Sequence, residues 1–147
     1  MVQYRNGKFI CADRVALTLP NNVFLDFDSP VIPVEGMIFY SPDLKTTIDV
    51  GLVETPKDAH SFLLSAQEDY EITRIVTPVS PVTVGSMEGY GMTYALTRDI
   101  LEEYVLTVPG EEPWLLDICL SQEMEEQSDP ADYARLRDEL LAGIELV

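Results

Sequence analysis

The sequence has few of the side chains that carry metal or nucleophilic chemistry. It contains one histidine, His60, and two cysteines, Cys11 and Cys119, which lie far apart. No Cys/His spacing typical of a zinc site can be formed from them. We therefore expect no metal and no cofactor. Two isolated thiols are typical of a reducing compartment, and we expect them to be buried or half-buried. A disulfide would need Cα atoms within about 7 Å, which only the fold decides.

Long apolar runs are also missing. No run approaches the roughly 18 residues that cross a bilayer. The first twenty residues contain Arg5, Lys8, Asp13 and Arg14 among short apolar stretches, without the apolar segment of a secretory signal. We expect a cytoplasmic protein that does not enter a membrane.

Basic residues are scarce. Nine Lys and Arg stand against 26 Asp and Glu, which gives a formal net charge of −17. Such a surface repels phosphate backbones, so nucleic acid and anionic membranes are excluded as partners, whereas basic proteins and cations are attracted. The length of 147 residues and the 46% apolar content are those of one packed domain. We expect a single domain over residues 1–147, with an ordered core at about 14–146.

The first half shows alternating segments typical of strands. Residues 14–19 alternate, with Val15, Leu17 and Leu19 on one side. Pro20-Asn21-Asn22 has the composition of a turn, and residues 23–27 return as a second strand. This pattern predicts an N-terminal hairpin. Further strands are expected at 36–40 and 47–54, with Ile48, Val50 and Leu52 on one side of the second.

Two amphipathic helices are predicted, at 57–70 and 130–146. Thr55 is the expected cap of the first helix, with Pro56 and Asp58 in its first turn, and Ser128-Asp129-Pro130 opens the second. The predicted buried stripes are Ala59, Phe62, Leu63, Ala66 and Tyr70 in the first helix, and Tyr133, Leu136, Leu140, Leu141 and Ile144 in the second.

Between the helices the chain has the pattern of an antiparallel meander. Extended segments are expected at 72–79, 82–85, 89–96, 101–108 and 114–120. Pro78 and Pro81 make the first of these an edge or a bent strand. The order of elements predicts an α+β fold, with a single, mostly antiparallel sheet packed with two helices.

Four parts of the chain carry this order of elements: RVALTLPNNVFLDF, TIDVGLVETPKDAHSFL, VTVGSMEGYGMTYALT followed by YVLTVPGEEPWLLDICLS, and the closing helix. On these segments the chain resembles the PsbP-like superfamily over residues 14–146. The resemblance implies a small α/β/α sandwich. It also implies an accessory role, since the superfamily includes photosystem extrinsic subunits, a Ran-binding nuclear import factor and type VI secretion effector chaperones. It implies no catalytic residue.

Two features that look like catalytic or phosphate-binding signals have simpler explanations. The glycine-rich segment Gly85–Gly91 precedes a strand pattern rather than the helix that a phosphate loop requires, and its Glu88 would repel phosphate. We predict a hairpin turn at Ser86-Met87-Glu88. His60 lies off the apolar stripe, without an orienting partner nearby in sequence, so we expect it on the surface.

Several carboxylates are candidate site residues. Asp26 and Asp28 alternate along a predicted strand, but the calcium-loop pattern is absent. Asp117 shares a face with Leu115 and Cys119, and a buried carboxylate there would mark a site. We favour a solvated face for Asp117. The acidic residues before the last helix are expected in a solvated loop, namely Glu123, Glu125 and Glu126.

The richest aromatic and methionine patch is formed by Tyr90, Met92, Tyr94, Tyr104 and Leu106. Most of it should be core beneath a helix. If the two helices leave part of the sheet uncovered, the same residues form a surface for a protein partner.

The leading hypothesis is a non-enzymatic protein-interaction module, accessory or chaperone-like. It would bind a basic partner or an apolar segment through a sheet face or edge, with homodimerisation left open. The alternative is a small-molecule-binding protein or hydrolase with a carboxylate site around Asp117, Asp26 or Asp28. That alternative requires a pocket with two carboxylates within about 10 Å. A structural acidic domain without a ligand is a third hypothesis.

Overall fold

A computed structural model describes residues 2–26 and 35–147, without the side chains of residues 66 and 67. Within these ranges the chain forms eleven strands and two helices. In order they are β1 (Val2–Arg5), β2 (Lys8–Cys11), β3 (Val15–Leu17), β4 (Phe24–Asp26), β5 (Glu35–Tyr40), β6 (Thr46–Glu54), α1 (Ala59–Asp69), β7 (Arg74–Val84), β8 (Met87–Ala95), β9 (Asp99–Val108), β10 (Trp114–Glu123), α2 (Pro130–Ala142) and β11 (Ile144–Leu146).

The strands form two antiparallel sheets. The large sheet has the order β4-β5-β6-β10-β9-β8-β7, and the small one has the order β1-β2-β3-β11. The α+β class is confirmed, but the expectation of a single sheet is wrong. The second sheet arises because β11, at the end of the chain, pairs with β3 near its beginning.

The predicted hairpin over residues 15–27 does not form. β3 belongs to the small sheet, whereas β4 pairs with β5 in the large one. Asn22 has a φ of 64°, as its turn composition suggests, but the turn carries the chain from one sheet to the other. Phe27 lies outside the described residues, as do residues 29–34 of the proline-containing connector expected over 29–35, whose last residue, Glu35, is the first of β5.

The N-terminal hairpin is instead β1–β2, which the sequence reasoning missed. Its two-residue turn is Asn6-Gly7, with φ values of 53° and 77°. Both positive values suit the twist of a tight hairpin, which explains the choice of Asn and Gly. Residues 2–11 thus belong to the packed structure, ahead of the expected core boundary.

The strands predicted at the middle of the chain are present, with small changes at their ends. The turn between β7 and β8 is Gly85-Ser86, where Gly85 has a φ of 59°. The glycine-rich segment is therefore a hairpin, as expected, but β8 already begins at Met87 rather than after Glu88.

Helix α1 starts later than predicted because its cap is Asp58. The Asp58 carboxylate accepts a 2.7 Å hydrogen bond from the Ser61 amide, whereas Thr55 lies before the helix. Ala59 and Leu63 of the predicted stripe are buried, and Tyr70 lies just past the helix end. The side chain of Ala66 lies outside the described part of the chain.

Helix α2 begins as predicted and ends earlier. The Asp129 side chain accepts hydrogen bonds from the amides of Ala131 and Asp132, at 3.0 and 3.2 Å. The helix stops at Gly143, where an added Cβ would lie 2.4 Å from the Thr18 carbonyl oxygen. Ile144, predicted within the helix, is therefore the first residue of β11.

The two faces of the large sheet pack against different elements. One face carries α1, whose Ala59 and Leu63 pack with Met92, Tyr94 and Val105. The other face packs against the small sheet and α2, and its core includes Leu17, Phe39, Ile48, Val50, Leu52, Leu106, Leu116, Ile118, Leu120, Leu136 and Leu140. Neither helix has the length and hydrophobicity to span a bilayer within the residues described.

Candidate functional site

The two central strands of the large sheet each present one apolar and one polar side. On β6, Ile48, Val50 and Leu52 are at most 1% exposed and face the small sheet and α2. The residues that alternate with them point to the α1 side, and they include Thr47 and Asp49. Such alternation is the ordinary consequence of strand geometry, and it brings a carboxylate to the α1 side.

Strand β10 repeats this pattern beside β6. Leu116, Ile118 and Leu120 are fully buried on the apolar side. Asp117 and Cys119 point to the α1 side and are half-buried. The two strands therefore place polar residues on the same side of the sheet.

Helix α1 packs mainly on β8 and β9. Over β5, β6 and the part of β10 that follows buried Leu115, six residues on the same side of the sheet are exposed or half-buried: Ile38, Thr47, Asp49, Asp117, Cys119 and Ser121. We call these six residues the open strip. The strip is the part of the α1 side that the packed helix leaves accessible.

Three carboxylates meet at the border between the open strip and α1. The strand registers place Cys119 directly opposite Asp49 on one side and Glu103 on the other, and Asp117 lies two residues along β10. Glu103 is 5% exposed, and its Oε1 accepts a 2.9 Å hydrogen bond from the Tyr94 hydroxyl. We call Asp49, Glu103 and Asp117 the acidic cluster.

Asp117 is the least satisfied member of the acidic cluster. Its Oδ1 is buried and has no hydrogen-bond partner among the described residues. Burial raises the pKa of Asp117 well above its usual range, and the hydrogen bond and charge of Glu103 and the charge of Asp49 raise it further. Two close carboxyls cannot both ionise cheaply. The arrangement therefore favours a protonated Asp117 beside Glu103.

The neighbouring groups are affected in the same direction. Burial, followed by the charge of Glu103, raises the pKa of Asp49 even though part of its side chain reaches solvent. Burial and the three carboxylates raise the pKa of Cys119 well above its usual value. Cys119 therefore remains a thiol, which is a weak nucleophile.

Within residues 2–26 and 35–147, no basic side chain forms an ion pair with the acidic cluster. Among the ion pairs in the part of the chain that the structure describes, none involves Asp49, Glu103 or Asp117. The described residues also hold no group of three or more His, Cys, Asp or Glu that could bind a metal ion. The cluster thus consists of acidic residues without a basic partner among the described residues, and its Asp117 Oδ1 has no hydrogen-bond donor there.

The residues predicted as a partner-binding patch do not share one surface. Tyr90, Met92 and Tyr94 lie on the α1 side. Tyr104 and Leu106 lie opposite Gly91 and Gly89 of β8, and they face α2 and the small sheet. Met92, Tyr94 and Leu106 are buried, as the expectation of core predicted, while Tyr90 and Tyr104 are half-buried. Their role in binding a partner stays a prediction.

The other carboxylate candidates are separated from the acidic cluster. Asp26 accepts a 2.8 Å hydrogen bond from the Tyr40 hydroxyl on the neighbouring strand β5. β4 lies three strands from β10, which corresponds to roughly 14 Å at a strand spacing of about 4.8 Å. Asp26 is therefore too far to act with Asp117, and Asp28 lies outside the described residues. The exposure of the loop residues confirms the expected solvated segment, at Glu123, Glu125 and Glu126.

His60 is exposed, as expected, with the edge of its ring on Tyr90 at a centroid distance of 4.8 Å. It lines a cleft of about 730 Å³ together with Asp58 and Glu88.

Both cysteines are free thiols, also as expected, and burial raises the pKa of Cys11 to about 11.

Sequence reasoning favoured a solvated face for Asp117, whereas the structure leaves the residue half-buried, with one carboxyl oxygen buried beside Glu103. Glu103 itself was missed. Its position in β9 could have identified it, because Glu103 lies between Leu101 and Val105 on the same, α1-facing side of the strand. An acidic residue at such a position needs a partner.

No protein-family model matches this sequence, and no curated protein matches it. Among solved structures, the fold is similar to that of LpqN from Mycobacterium tuberculosis, a protein described as involved in cell envelope biogenesis. The TM-score is 0.67, and the similarity covers 90% of this chain and 83% of that chain at 12% identity. At this identity the likeness shows the fold alone.

Proposed function

We propose that the protein is a cytoplasmic, non-enzymatic interaction module that docks a protein partner on the open strip. The observation that carries this proposal is a sheet side that α1 covers over β8 and β9 but leaves accessible over β5, β6 and β10. The role would be accessory or chaperone-like, as the resemblance to PsbP-like proteins implies.

Charge supports a basic partner. The net charge of −17 attracts basic proteins over long range, and Asp49 is an exposed acidic residue on the open strip. Such complementarity mainly sets the association rate and the choice of partner. A partner with Lys or Arg at its contact surface therefore fits this face better than an acidic one.

Apolar contact is available beside the charge. Tyr70 is 50% exposed and stacks on buried Tyr94, with ring centroids 6.4 Å apart. An accessible tyrosine held by a rigid neighbour is a typical anchor at protein interfaces. The docking surface we propose thus combines the open strip with Tyr70, rather than the five residues named from the sequence.

A second candidate function is the binding of a small molecule at the acidic cluster. The observation in its favour is Asp117, whose carboxyl is buried next to Glu103 and has an unpaired oxygen. A cationic metabolite would satisfy the same groups. This candidate differs from the first in requiring no macromolecular contact beyond the cluster.

Site-specific photo-crosslinking tests the docking proposal. A photoreactive amino acid is introduced at Thr47 or Ser121 on the open strip, and at exposed Glu111 or Glu125 as matched controls. We expect one discrete protein adduct from the strip positions in the native cell and none from the controls. The purified adduct partner should then bind the wild-type protein, and Asp49→Lys should weaken this binding much more than Glu111→Lys.

Adducts that form equally at control positions would contradict the proposal, as would equal effects of the two lysine substitutions. Adducts between two copies of this chain would show that the open strip is a homodimer interface instead.

A further inference from the structure

We propose that the protein forms a homodimer in which the β1 strands of two copies pair antiparallel, so that their small sheets join into one. Among the described residues, β1 is the last strand of the small sheet on its side, with β2 as its one neighbour. This edge belongs to the small sheet, whereas the open strip belongs to the large one. The inference therefore goes beyond the proposed function and does not depend on it.

The open edge of β1 presents the backbone groups of Val2 and Tyr4. The two-residue turn Asn6-Gly7 makes Arg5 and Lys8 the hydrogen-bonded pair that closes the β1–β2 hairpin. Hydrogen-bonded and non-hydrogen-bonded pairs alternate along an antiparallel ladder, so the N–H and C=O groups of Val2 and Tyr4 point away from β2. These backbone groups can form hydrogen bonds with a second strand.

A two-fold axis through Gln3 gives a register in which β1 is complementary to itself. The Gln3 residues of the two copies face each other, and Tyr4 of each copy lies opposite Val2 of the second copy. Opposed residues whose backbone groups point at each other exchange two hydrogen bonds, so each pair of Tyr4 and Val2 is hydrogen-bonded. A symmetric dimer requires one patch that matches itself, and β1 meets this requirement.

The ring of Tyr4 is the side chain that this pairing would cover. Tyr4 lies on the same side of the hairpin as Phe9 and Val2, which pack against the core. Its own side chain is nevertheless 66% exposed, and its ring is held against Phe9 with centroids 4.9 Å apart. In the proposed register Tyr4 lies over Val2 of the second copy. An exposed aromatic ring fixed by a neighbour is a typical anchor of a protein interface.

The edge of β1 differs from the long edge of the large sheet at β7. The pairing of β7 with β8 has two register shifts, and β7 contains Pro78 and Pro81. Bulges and prolines are common devices that prevent a further strand from adding to an exposed edge. β1 pairs with β2 in continuous register and contains no proline. The chain thus blocks strand addition at β7 and leaves β1 able to pair.

Charge favours a second copy of the chain at this edge. The net charge of −17 makes two copies repel each other over most of their surfaces. Residues 2–11, however, contain Arg5 and Lys8 and no acidic residue. Arg5 pairs with Asp13 at 2.7 Å, and Lys8 pairs with Glu145. The hairpin is therefore a place where two acidic molecules meet without opposing unpaired carboxylates, and its balanced charge matches itself better than it matches a highly charged strand.

Disulfide trapping of the full-length protein tests the register. The two Gln3 residues would form a non-hydrogen-bonded pair with Cα atoms about 4.5 Å apart, which lies within the range of a disulfide. Gln3→Cys should therefore give a covalent dimer in the oxidant diamide, linked at position 3 of both copies. Thr83→Cys is the matched control, because it places a thiol at an exposed position on the β7 edge, and it should stay monomeric. The wild-type protein, with Cys11 and Cys119, is the blank.

Sedimentation equilibrium without oxidant measures the association itself. Because each copy contributes a strand of four residues and one exposed ring, the interface is small, and we expect a reversible dimer with a dissociation constant of roughly 100 µM. Raising the salt from about 0.05 M to about 0.3 M should strengthen the dimer, since salt screens the repulsion between acidic copies. Tyr4→Glu should weaken it by about tenfold or more, whereas Tyr70→Glu, at another exposed tyrosine, should leave it unchanged.

Several outcomes would overturn the inference. The wild-type protein could remain monomeric up to about 1 mM, Tyr4→Glu could behave like Tyr70→Glu, or Gln3→Cys could crosslink no faster than Thr83→Cys. A dimer that persists in Tyr4→Glu would use another surface. If the wild-type protein is monomeric and an alternating Glu-Val hexapeptide shifts the NMR signals of the β1 amides, the edge accepts a foreign strand, and the pairing of two copies is rejected.

Discussion

The two sides of the large sheet differ in the kind of residue that β6 and β10 place on them. Toward the small sheet and α2, the residues of β6 and β10 are aliphatic and almost completely buried. Toward α1, the same two strands carry Asp49, Asp117 and Cys119. The first side is built for stability, since apolar burial is the main source of folding free energy. On the second side, the acidic residues cost electrostatic free energy, so a contribution to folding stability does not explain their presence.

The same contrast holds between two polar clusters. At the start of α2, Asp43 accepts hydrogen bonds from Ser128 Oγ and the Lys45 amide, and Ser128 also contacts Thr46. Although partial burial acts to raise it, these hydrogen bonds and those of Ser41 hold the pKa of Asp43 below its usual value. Asp117 has the opposite shift and an unpaired oxygen. The hydrogen bonds of the first cluster stabilise the fold, whereas the second leaves a buried carboxyl oxygen without a hydrogen-bond partner among the described residues.

The largest expected difference compares adjacent residues of β10. Ile118→Ala should lower the free energy of unfolding by about 2–5 kcal/mol, because it opens a cavity in a fully buried layer. Cys119→Ala, on the half-buried side, should cost less than about 1 kcal/mol. Urea denaturation of the two variants measures both values. Equal losses would contradict the distinction between the two sides.

The second expected effect is a gain in stability on removing a charge from the acidic cluster. The folded-state pKa of Asp117 is raised, so the folded protein binds the proton more tightly than the unfolded chain does. Ionisation of Asp117 therefore lowers the free energy of unfolding. This loss is fully present above the pKa of Asp117 in the folded protein and disappears as the pH falls toward its pKa in the unfolded chain, about 3.9. Asp117→Asn should therefore increase the free energy of unfolding at about pH 8 by roughly 1–3 kcal/mol, because it removes the buried negative charge and each unit of pKa shift corresponds to about 1.4 kcal/mol.

This gain should shrink as the pH is lowered, and denaturation at a series of pH values measures it. Glu111→Gln is the matched control, since it removes one exposed carboxylate outside the cluster. A loss of stability in Asp117→Asn that is independent of pH would show that the carboxyl is well accommodated in the native state.

The smallest expected effect concerns the hydrogen-bonded cluster of Asp43, Thr46 and Ser128 at the start of α2. Ser128→Ala removes donors and acceptors from Asp43 and Thr46 and should destabilise the protein by about 1 kcal/mol. The folded-state pKa of Asp43 is lowered, so its stabilising contribution is present above the unfolded value and is lost as the pH falls through the folded one. Thermal unfolding should show opposite signs for Ser128→Ala and Asp117→Asn, and a shared sign would remove the contrast.

Local patterns in the sequence predicted much of the fold. The alternation of Ile48, Val50 and Leu52 placed β6, and the Ser128-Asp129-Pro130 cap placed the start of α2, because both signals depend on neighbouring residues. The small sheet could not be predicted in this way. β11 pairs with β3 across nearly the whole chain, and three-residue strands carry too little periodicity to be recognised.

The site was harder to predict than the fold, for a physical reason. Asp117 and Glu103 are neighbours only after β9 and β10 adopt their register, and neither residue signals the other in sequence. The choice between a solvated and a buried Asp117 carboxyl depends on the neighbours that the sheet register brings to it, Glu103 above all. Parity along each strand identified the side, but only tertiary packing decides the exposure.

Whether Asp117 is an uncompensated buried acid can be measured through its own side chain. The ¹³C chemical shift of its carboxyl carbon, followed by NMR from acidic to mildly alkaline pH, reports its protonation in the folded protein. We predict a midpoint well above that of Asp43 and above the usual aspartate value, which falls when Glu103 is replaced by Gln. A midpoint at or below the usual value, unaffected by Glu103→Gln, would contradict the account of Asp117 as a buried carboxyl whose pKa is raised by burial and by Glu103.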